Sequence, residues 1–74
     1  MSEPTPAQIE ITLNGDPYRV EGDARLAMLL ERLNMRSGRV AVEINNRAIP
    51  KATYPDVVLK AGDSVEVINF VGGG

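Results

Sequence analysis

Cysteine and histidine are both absent from this chain of 74 residues. Without cysteine the fold has no disulfide, so its stability must come from packing, as is usual for proteins of the reducing cytoplasm. The two absences also remove the thiol nucleophile, the side chain that titrates near neutral pH, and the ligands that zinc prefers. We therefore expect no metal site and no cysteine or histidine chemistry.

Long apolar segments and clusters of basic residues are missing as well. No apolar run approaches the ~20 residues that cross a bilayer, and residues 1–6 have neither the basic nor the apolar region of a signal peptide. The formal net charge is −2 with the two signs interspersed, whereas nucleic-acid binding normally needs a basic patch. We expect a cytoplasmic protein that binds neither nucleic acid nor membrane.

The short chain leaves room for roughly one helix packed on one sheet, with no second lobe to form a deep cleft. Its carboxylates are scattered singly, so no paired general acid and base is expected. These features argue against a self-sufficient enzyme and favour a domain that lends a loop or a terminus to a larger partner.

Alternating apolar residues predict two strands near the start of the chain, over residues 9–13 and 17–21. Asn14-Gly15 between them predicts a tight hairpin, because both residues tolerate positive φ. Pro17 opens the second strand, where its missing N–H costs least. The polar, proline-containing residues 1–8 are expected to form a disordered lead-in.

A helix is predicted over about residues 24–33. Its apolar positions recur at i, i+3, i+4 and i+7, the spacing of one helical face, at Leu26, Leu29, Leu30 and Leu33. Asp23 is the expected N-cap.

The rest of the chain predicts a third strand, an irregular segment and a final strand. Val40, Val42 and Ile44 alternate, residues 45–47 turn the chain, and 57–59 form a short apolar segment before the strand over 64–71. The expected fold is α+β: a roll with a mixed sheet of four to five strands and one main helix across it. The domain spans 9–71, followed by a flexible tail of Gly72, Gly73 and Gly74.

The last strand has two unlike faces. Val65 and Val67 belong in the core, whereas alternation places Glu66, Ile68 and Phe70 on the face away from the helix. Single exposed apolar residues are ordinary, but these lead directly to the tail and would suit a docking surface. A bulge after Val67 would reverse the alternation and bury Phe70.

Three terminal glycines are rare by chance, although a frayed end or an expression remnant would produce the same ending. Glycine has no Cβ, so such a tail can thread a narrow channel in a partner. The carboxylate of Gly74 is ionised at neutral pH and is a poor electrophile. It must be activated, for instance as an acyl-adenylate, before sulfide or an amine can attack it.

Three segments carry a family resemblance: residues 40–50 (VAVEINNRAIP), 61–63 (AGD) and 65–74 (VEVINFVGGG). They resemble the ThiS family of thiazole-biosynthesis sulfur carriers, and the similarity covers about residues 9–74. The terminal Gly-Gly is shared with molybdopterin-synthase small subunits and ubiquitin-like modifiers. The chain departs from the family in its proline-rich lead-in and at Tyr54, where many relatives carry tryptophan.

The resemblance implies a β-grasp (ubiquitin-like) fold and a carrier that is a substrate of other enzymes. An E1-like, ThiF-like adenylyltransferase would adenylate Gly74 with ATP, and a sulfur donor such as a cysteine desulfurase would supply the sulfur of a thiocarboxylate. A ThiG-like thiazole synthase would receive it. The chain itself would bind no cofactor, and its docking residues would be Glu66, Ile68, Phe70 and Val71.

Three other functions stay open at this stage. A MoaD-like small subunit of molybdopterin synthase would share the chemistry and differ in the acceptor. A ubiquitin-like modifier would join Gly74 to a lysine, and a plain binding domain would carry the tail incidentally.

Overall fold

A computed structural model of the protein describes residues 7–35 and 39–70. In chain order its elements are β1 (Gln8–Leu13), β2 (Asp16–Glu21), α1 (Leu26–Arg32), β3 (Val40–Ile44), β4 (Arg47–Ala48), a 3₁₀ helix (Lys51–Asp56) and β5 (Ser64–Asn69). The five strands form one sheet in the order β2-β1-β5-β3-β4. Strand β5 is parallel to β1 and antiparallel to β3, so the mixed sheet with one main helix, the predicted β-grasp arrangement, is confirmed.

The predicted hairpin between β1 and β2 is confirmed. Asn14 and Gly15 have φ of 51° and 89°, the left-handed conformation that a tight hairpin needs and that these two residues adopt at low cost. Pro17 of β2 lies opposite Thr12 of β1. Because β2 is an edge strand, the N–H that proline lacks is not missed there.

The helix begins later than predicted, and the assignment of Asp23 as its N-cap was wrong. Arg25 occupies the N-cap position and makes no side-chain cap hydrogen bond. The preceding residues are held by a distant segment: the Ala24 carbonyl accepts a hydrogen bond from the Leu59 N–H at 2.9 Å, and Arg25 forms an isolated β-bridge with Val58. This extended pairing keeps residues 24 and 25 out of the helix.

The core lies between α1 and the helix-facing side of the sheet. The predicted core positions Leu29, Leu30, Val42 and Val67 are all buried, and Leu33 is half-buried. Full burial of such a side chain contributes about 1.5–3 kcal/mol. Buried residues come from every strand except β4, and among the described residues the set is Ile11, Val20, Ala24, Leu26, Leu29, Leu30, Val40, Val42, Ile44, Tyr54, Leu59, Val65 and Val67.

A second tight hairpin joins β3 to β4. Asn45 and Asn46 have φ of 54° and 69°, the conformation that asparagine tolerates best after glycine. Residues 45–47 were predicted as a turn, and the short strand β4 that begins at Arg47 was not predicted. The predicted irregular segment contains the 3₁₀ helix, which buries Tyr54 to 1% exposure.

One ion pair connects β2 to α1. The Arg32 guanidinium donates a hydrogen bond to the Glu21 carboxylate at 2.9 Å. This hydrogen bond, with the attraction between the two charges, holds the pKa of Glu21 below its usual value and raises the pKa of Arg32. Among residues 7–35 and 39–70, no helix is long and apolar enough to span a membrane.

Candidate functional site

The candidate site is the end of β5, which lies at the centre of the sheet and leads to the glycine tail. The start of this strand is fixed by side-chain hydrogen bonds. The Asp63 carboxylate accepts from the Lys60 N–H at 2.9 Å and from the Asn45 side chain at 3.1 Å. The Asn45 side chain in turn accepts a hydrogen bond from the Ser64 N–H at 3.0 Å. Hydrogen bonds therefore fix the turn that precedes β5.

The two faces of β5 are as the alternation predicts. Val65 and Val67 are buried on the helix side, whereas Ile68 and Phe70 are 49% and 56% exposed and Glu66 is also exposed. The register with β3 runs without interruption over all of β5 from Val65 onward. No bulge therefore reverses the alternation, and Phe70 does not enter the core.

On the outer face, the exposed apolar residues lie beside β3 and the residue that precedes it. Ala41 of β3 lies opposite Ile68, and the Phe70 N–H donates to the Arg39 carbonyl at 2.8 Å. Facing side chains on adjacent strands lie close enough to form one surface. We call the residues Ala41, Ile68 and Phe70 the apolar patch; their role in docking stays a prediction.

Two glutamates adjoin the apolar patch. Glu43 of β3 and Glu66 of β5 are direct cross-strand partners, in a pairing where like charges are unfavourable. Neither makes an ion pair or a side-chain hydrogen bond with any residue in the described part of the chain. Glu43 was not predicted as a site residue, because its position beside Glu66 depends on the β3–β5 register, which no local pattern specifies.

The remaining predicted site residues, Val71, Gly72, Gly73 and Gly74, lie outside the described residues. Within the described ranges, no group of three or more histidine, cysteine, aspartate or glutamate side chains could hold a metal ion. A surface groove between α1 and the 3₁₀ helix is lined by Leu30, Met35, Tyr54 and their neighbours, and no residue of β5 contributes to it. At the end of β5 the described residues thus present an exposed apolar surface, whose role in docking stays a prediction.

Comparison with known proteins places this geometry in a family. The model of the ThiS family matches residues 11–74. Over 64 residues the chain is 38% identical to the sulfur carrier protein ThiS of Thermus thermophilus, covering 86% of this chain and 98% of that one. A thiazole synthase of Magnetococcus marinus is 41% identical over 66 residues, which are 89% of this chain and 20% of that relative.

A solved structure agrees with the fold. The crystal structure of the thiamine biosynthesis protein ThiS from Geobacter metallireducens superposes with a TM-score of 0.75 at 30% sequence identity. The match covers 89% of this chain and 100% of that one. The shared fold, the family match that extends to Gly74 and the identity to a ThiS protein over nearly its full length together show that this chain belongs to the ThiS family.

Proposed function

We propose that this protein is a sulfur carrier for thiazole formation in thiamine biosynthesis, and that the carboxylate of Gly74 carries the sulfur. The observation that carries the proposal is the course of β5. It runs through the centre of the sheet, ends beside the exposed Phe70, and is followed in sequence by three glycines. In such an arrangement a partner enzyme binds the folded domain, and the last residue is the substrate.

The proposed cycle consists of two substitutions at the carboxyl carbon of Gly74. A carboxylate oxygen attacks the α-phosphorus of ATP in an E1-like adenylating enzyme, and pyrophosphate leaves. Sulfide then attacks the acyl carbon and AMP leaves, which gives a thiocarboxylate. When a cysteine desulfurase supplies the sulfur as a persulfide, the terminal sulfur attacks and AMP leaves, and a thiol reductant then cleaves the resulting acyl disulfide into the thiocarboxylate and the donor cysteine. The carrier has no cysteine of its own, so the sulfur would be held at the chain end. Because ATP is consumed, we place the cycle in the cytoplasm.

The residues near the tail are assigned to docking. Ile68 and Phe70 present apolar area that a partner can remove from water, at roughly 25 cal/mol per Å². Aromatic residues at the centre of an interface often dominate its binding energy. Glu66 and Val71 flank them in sequence, and Gly72 and Gly73 provide backbone without side chains that can follow a narrow channel.

Delivery to thiazole synthase is supported by the relative from Magnetococcus marinus. That protein is named thiazole synthase, and a fifth of its length is similar to this chain. A carrier joined to its acceptor enzyme in one polypeptide meets it at a high effective concentration. This arrangement favours thiazole synthase over molybdopterin synthase as the acceptor.

The intact mass of the protein tests the proposal. Incubation with the adenylating enzyme, ATP and sulfide should add the mass difference of one sulfur for one oxygen, confined to the peptide that contains Gly74. The modified carrier should then lose sulfur to thiazole synthase with its substrates. A ladder of lysine conjugates would indicate a modifier, transfer to a molybdopterin-synthase large subunit would indicate the MoaD-like function, and an unchanged mass would exclude all three.

A further inference from the structure

We propose that the edge of β5 beyond the end of β1 receives an extended segment of the adenylating enzyme as an added strand, with a basic side chain of that segment directed at Glu66. The inference rests on the proposed function for the identity of the partner. It concerns backbone groups of β5 that the apolar patch and the tail leave unused.

The hydrogen bonds to β3 establish which groups of β5 face which neighbour. The Phe70 N–H donates to the Arg39 carbonyl, and the Asn45 N–H donates to the Ser64 carbonyl, each at 2.8 Å. Bonded and non-bonded pairs alternate along an antiparallel ladder. Residues 64, 66, 68 and 70 therefore bond toward β3, and residues 65, 67 and 69 direct their N–H and C=O groups to the other side.

On that other side β1 ends too early to satisfy them all. The Asn14 N–H donates to the Val65 carbonyl at 2.8 Å, and the Asn14 side-chain oxygen accepts from the Val67 N–H at 2.8 Å. Then the chain turns away into β2. The Val67 and Asn69 carbonyls accept no hydrogen bond from any other described residue, and the Asn69 N–H donates none to one.

These three groups form the template that an added strand requires. They face the same edge and alternate between acceptor and donor, and they come from residues two positions apart, roughly 7 Å along the strand. Strand addition obtains affinity from such main-chain bonds and specificity from the flanking side chains. Here the flanking side chains on the outer face are Ile68 and Phe70, both exposed.

Charge specifies the chemistry of the occupant. Glu66 is exposed next to the open edge, and Glu43 lies opposite it with no counter-ion in the described part of the chain. A lysine or arginine that reaches over the outer face from an added strand would relieve this repulsion. We therefore infer that the partner segment is extended, apolar where it meets the apolar patch, and basic where it approaches Glu66.

Hydrogen exchange of individual amides gives a test that needs no substitution. In the free carrier the Asn69 N–H should exchange rapidly, whereas the Phe70 N–H, bonded to Arg39, should already be protected. Saturation with the adenylating enzyme should protect Asn69. An Asn69 amide that stays unprotected in the saturated complex would overturn the inference, as would protection that depends on carrier concentration without the enzyme, since that would identify a second copy as the occupant.

Asn69→Pro tests the same bond by binding, with Asn69→Ala as the matched control. Proline removes an N–H that makes no bond in the free domain and is tolerated at strand edges, so both variants should melt like the parent. We expect Asn69→Pro to weaken binding to the adenylating enzyme at least tenfold, and Asn69→Ala to change it less than threefold. Equal affinities of the two variants would contradict an added strand; should Asn69→Pro unfold, the exchange experiment decides.

Glu66→Lys tests the charge. It should weaken binding several-fold at low salt, and added salt should diminish the difference, because exposed charges are screened. No effect at low salt would contradict a basic partner segment.

Thiocarboxylate formation at saturating carrier separates this inference from the proposed function. If the thiocarboxylate still forms while the Asn69 amide is unprotected, the added strand alone is refuted. If no thiocarboxylate forms in a saturated complex, the sulfur-carrier function is refuted.

Discussion

The side chain of Asn14 accepts a hydrogen bond from the backbone N–H of Val67 at 2.8 Å, across 53 residues of sequence. Asn14 has φ of 51° in the β1–β2 turn, so one residue both forms the turn and closes the ladder of β5 where β1 ends. Asn14→Gly keeps the conformation and removes the acceptor, and we expect it to lower the free energy of unfolding by about 1 kcal/mol. Urea titration measures the change.

Asn46→Gly is the matched control for that substitution. Asn46 also has positive φ, 69°, in a tight turn, but its side chain makes no hydrogen bond to another described residue. It should change stability by only a few tenths of a kcal/mol, since the turn conformation suits glycine. An equal loss in both variants would show that the bond from Val67 contributes nothing.

Leu30→Ala should be strongly destabilising. Leu30 is 1% exposed in the middle of the core, and removing such a side chain costs about 2–5 kcal/mol through lost burial and the cavity left behind. A domain of this size has about 3–5 kcal/mol to lose, so the variant should be largely unfolded by circular dichroism at room temperature. Met28→Ala, two residues away on the same helix at 50% exposure, should melt close to the parent.

Phe70→Ala should weaken binding to the adenylating enzyme and leave the stability of the domain nearly unchanged. Because Phe70 is 56% exposed and makes no part of the core, its truncation should change stability by less than about 1 kcal/mol. Loss of an aromatic anchor should weaken binding to the adenylating enzyme about tenfold or more. Val58→Ala, also exposed but in the segment between the 3₁₀ helix and β5, controls for nonspecific effects. Unchanged affinity for Phe70→Ala would show that the apolar patch is incidental.

Extension of the chain beyond Gly74 should abolish sulfur transfer without altering the melting temperature. An added residue turns the acceptor carboxylate into a peptide amide, which cannot attack ATP. Deletion of Gly74 tests position instead of chemistry, since it retains a glycine carboxylate and shortens the reach by one residue, about 3.3–3.6 Å. Thiocarboxylate formation and thermal melting should be measured on the same samples; full transfer by an extended chain that remains unprocessed would refute the carrier mechanism.

The Glu21–Arg32 ion pair should make stability depend on pH in the acid range. The hydrogen bond from Arg32 lowers the pKa of Glu21 below its ordinary value of 4.5, so the folded state binds this proton less readily than the unfolded state. Its stabilising effect is therefore present above pH 4.5 and is lost as the pH falls through the folded-state pKa. The gap in melting temperature between the parent and Glu21→Gln should be small at neutral pH, because the pair is exposed, and should close on acidification.

Most of the fold could be predicted because local pattern and tertiary packing agree. The alternation in β1, β3 and β5 and the turn at Asn14 are readable without knowing the partners of each strand. The exposure of Phe70 followed from the same alternation. Its docking role, and the roles of Val71 and the glycines, are functional hypotheses that the experiments above address.

The errors arose where a distant segment decides the local structure. Asp23 has the chemistry of an N-cap, but the hydrogen bond from Leu59 to Ala24 holds the adjacent backbone extended and delays the helix. Glu43 carries no motif, and only the strand register brings it beside Glu66. Loops and registers set by long-range contacts are the features that a reading of local sequence misses.

The central position of β5 has a mechanical consequence. A partner that draws the glycine tail into a channel pulls along the axis of this strand. Since β5 pairs with β3 from Val65 to Asn69 and with β1 at Ser64 and Val65, such a pull loads the hydrogen bonds of these ladders together, in shear. The paired strand can therefore bear traction applied from its C-terminal end, as the proposed carrier cycle would require when successive enzymes bind and release the tail.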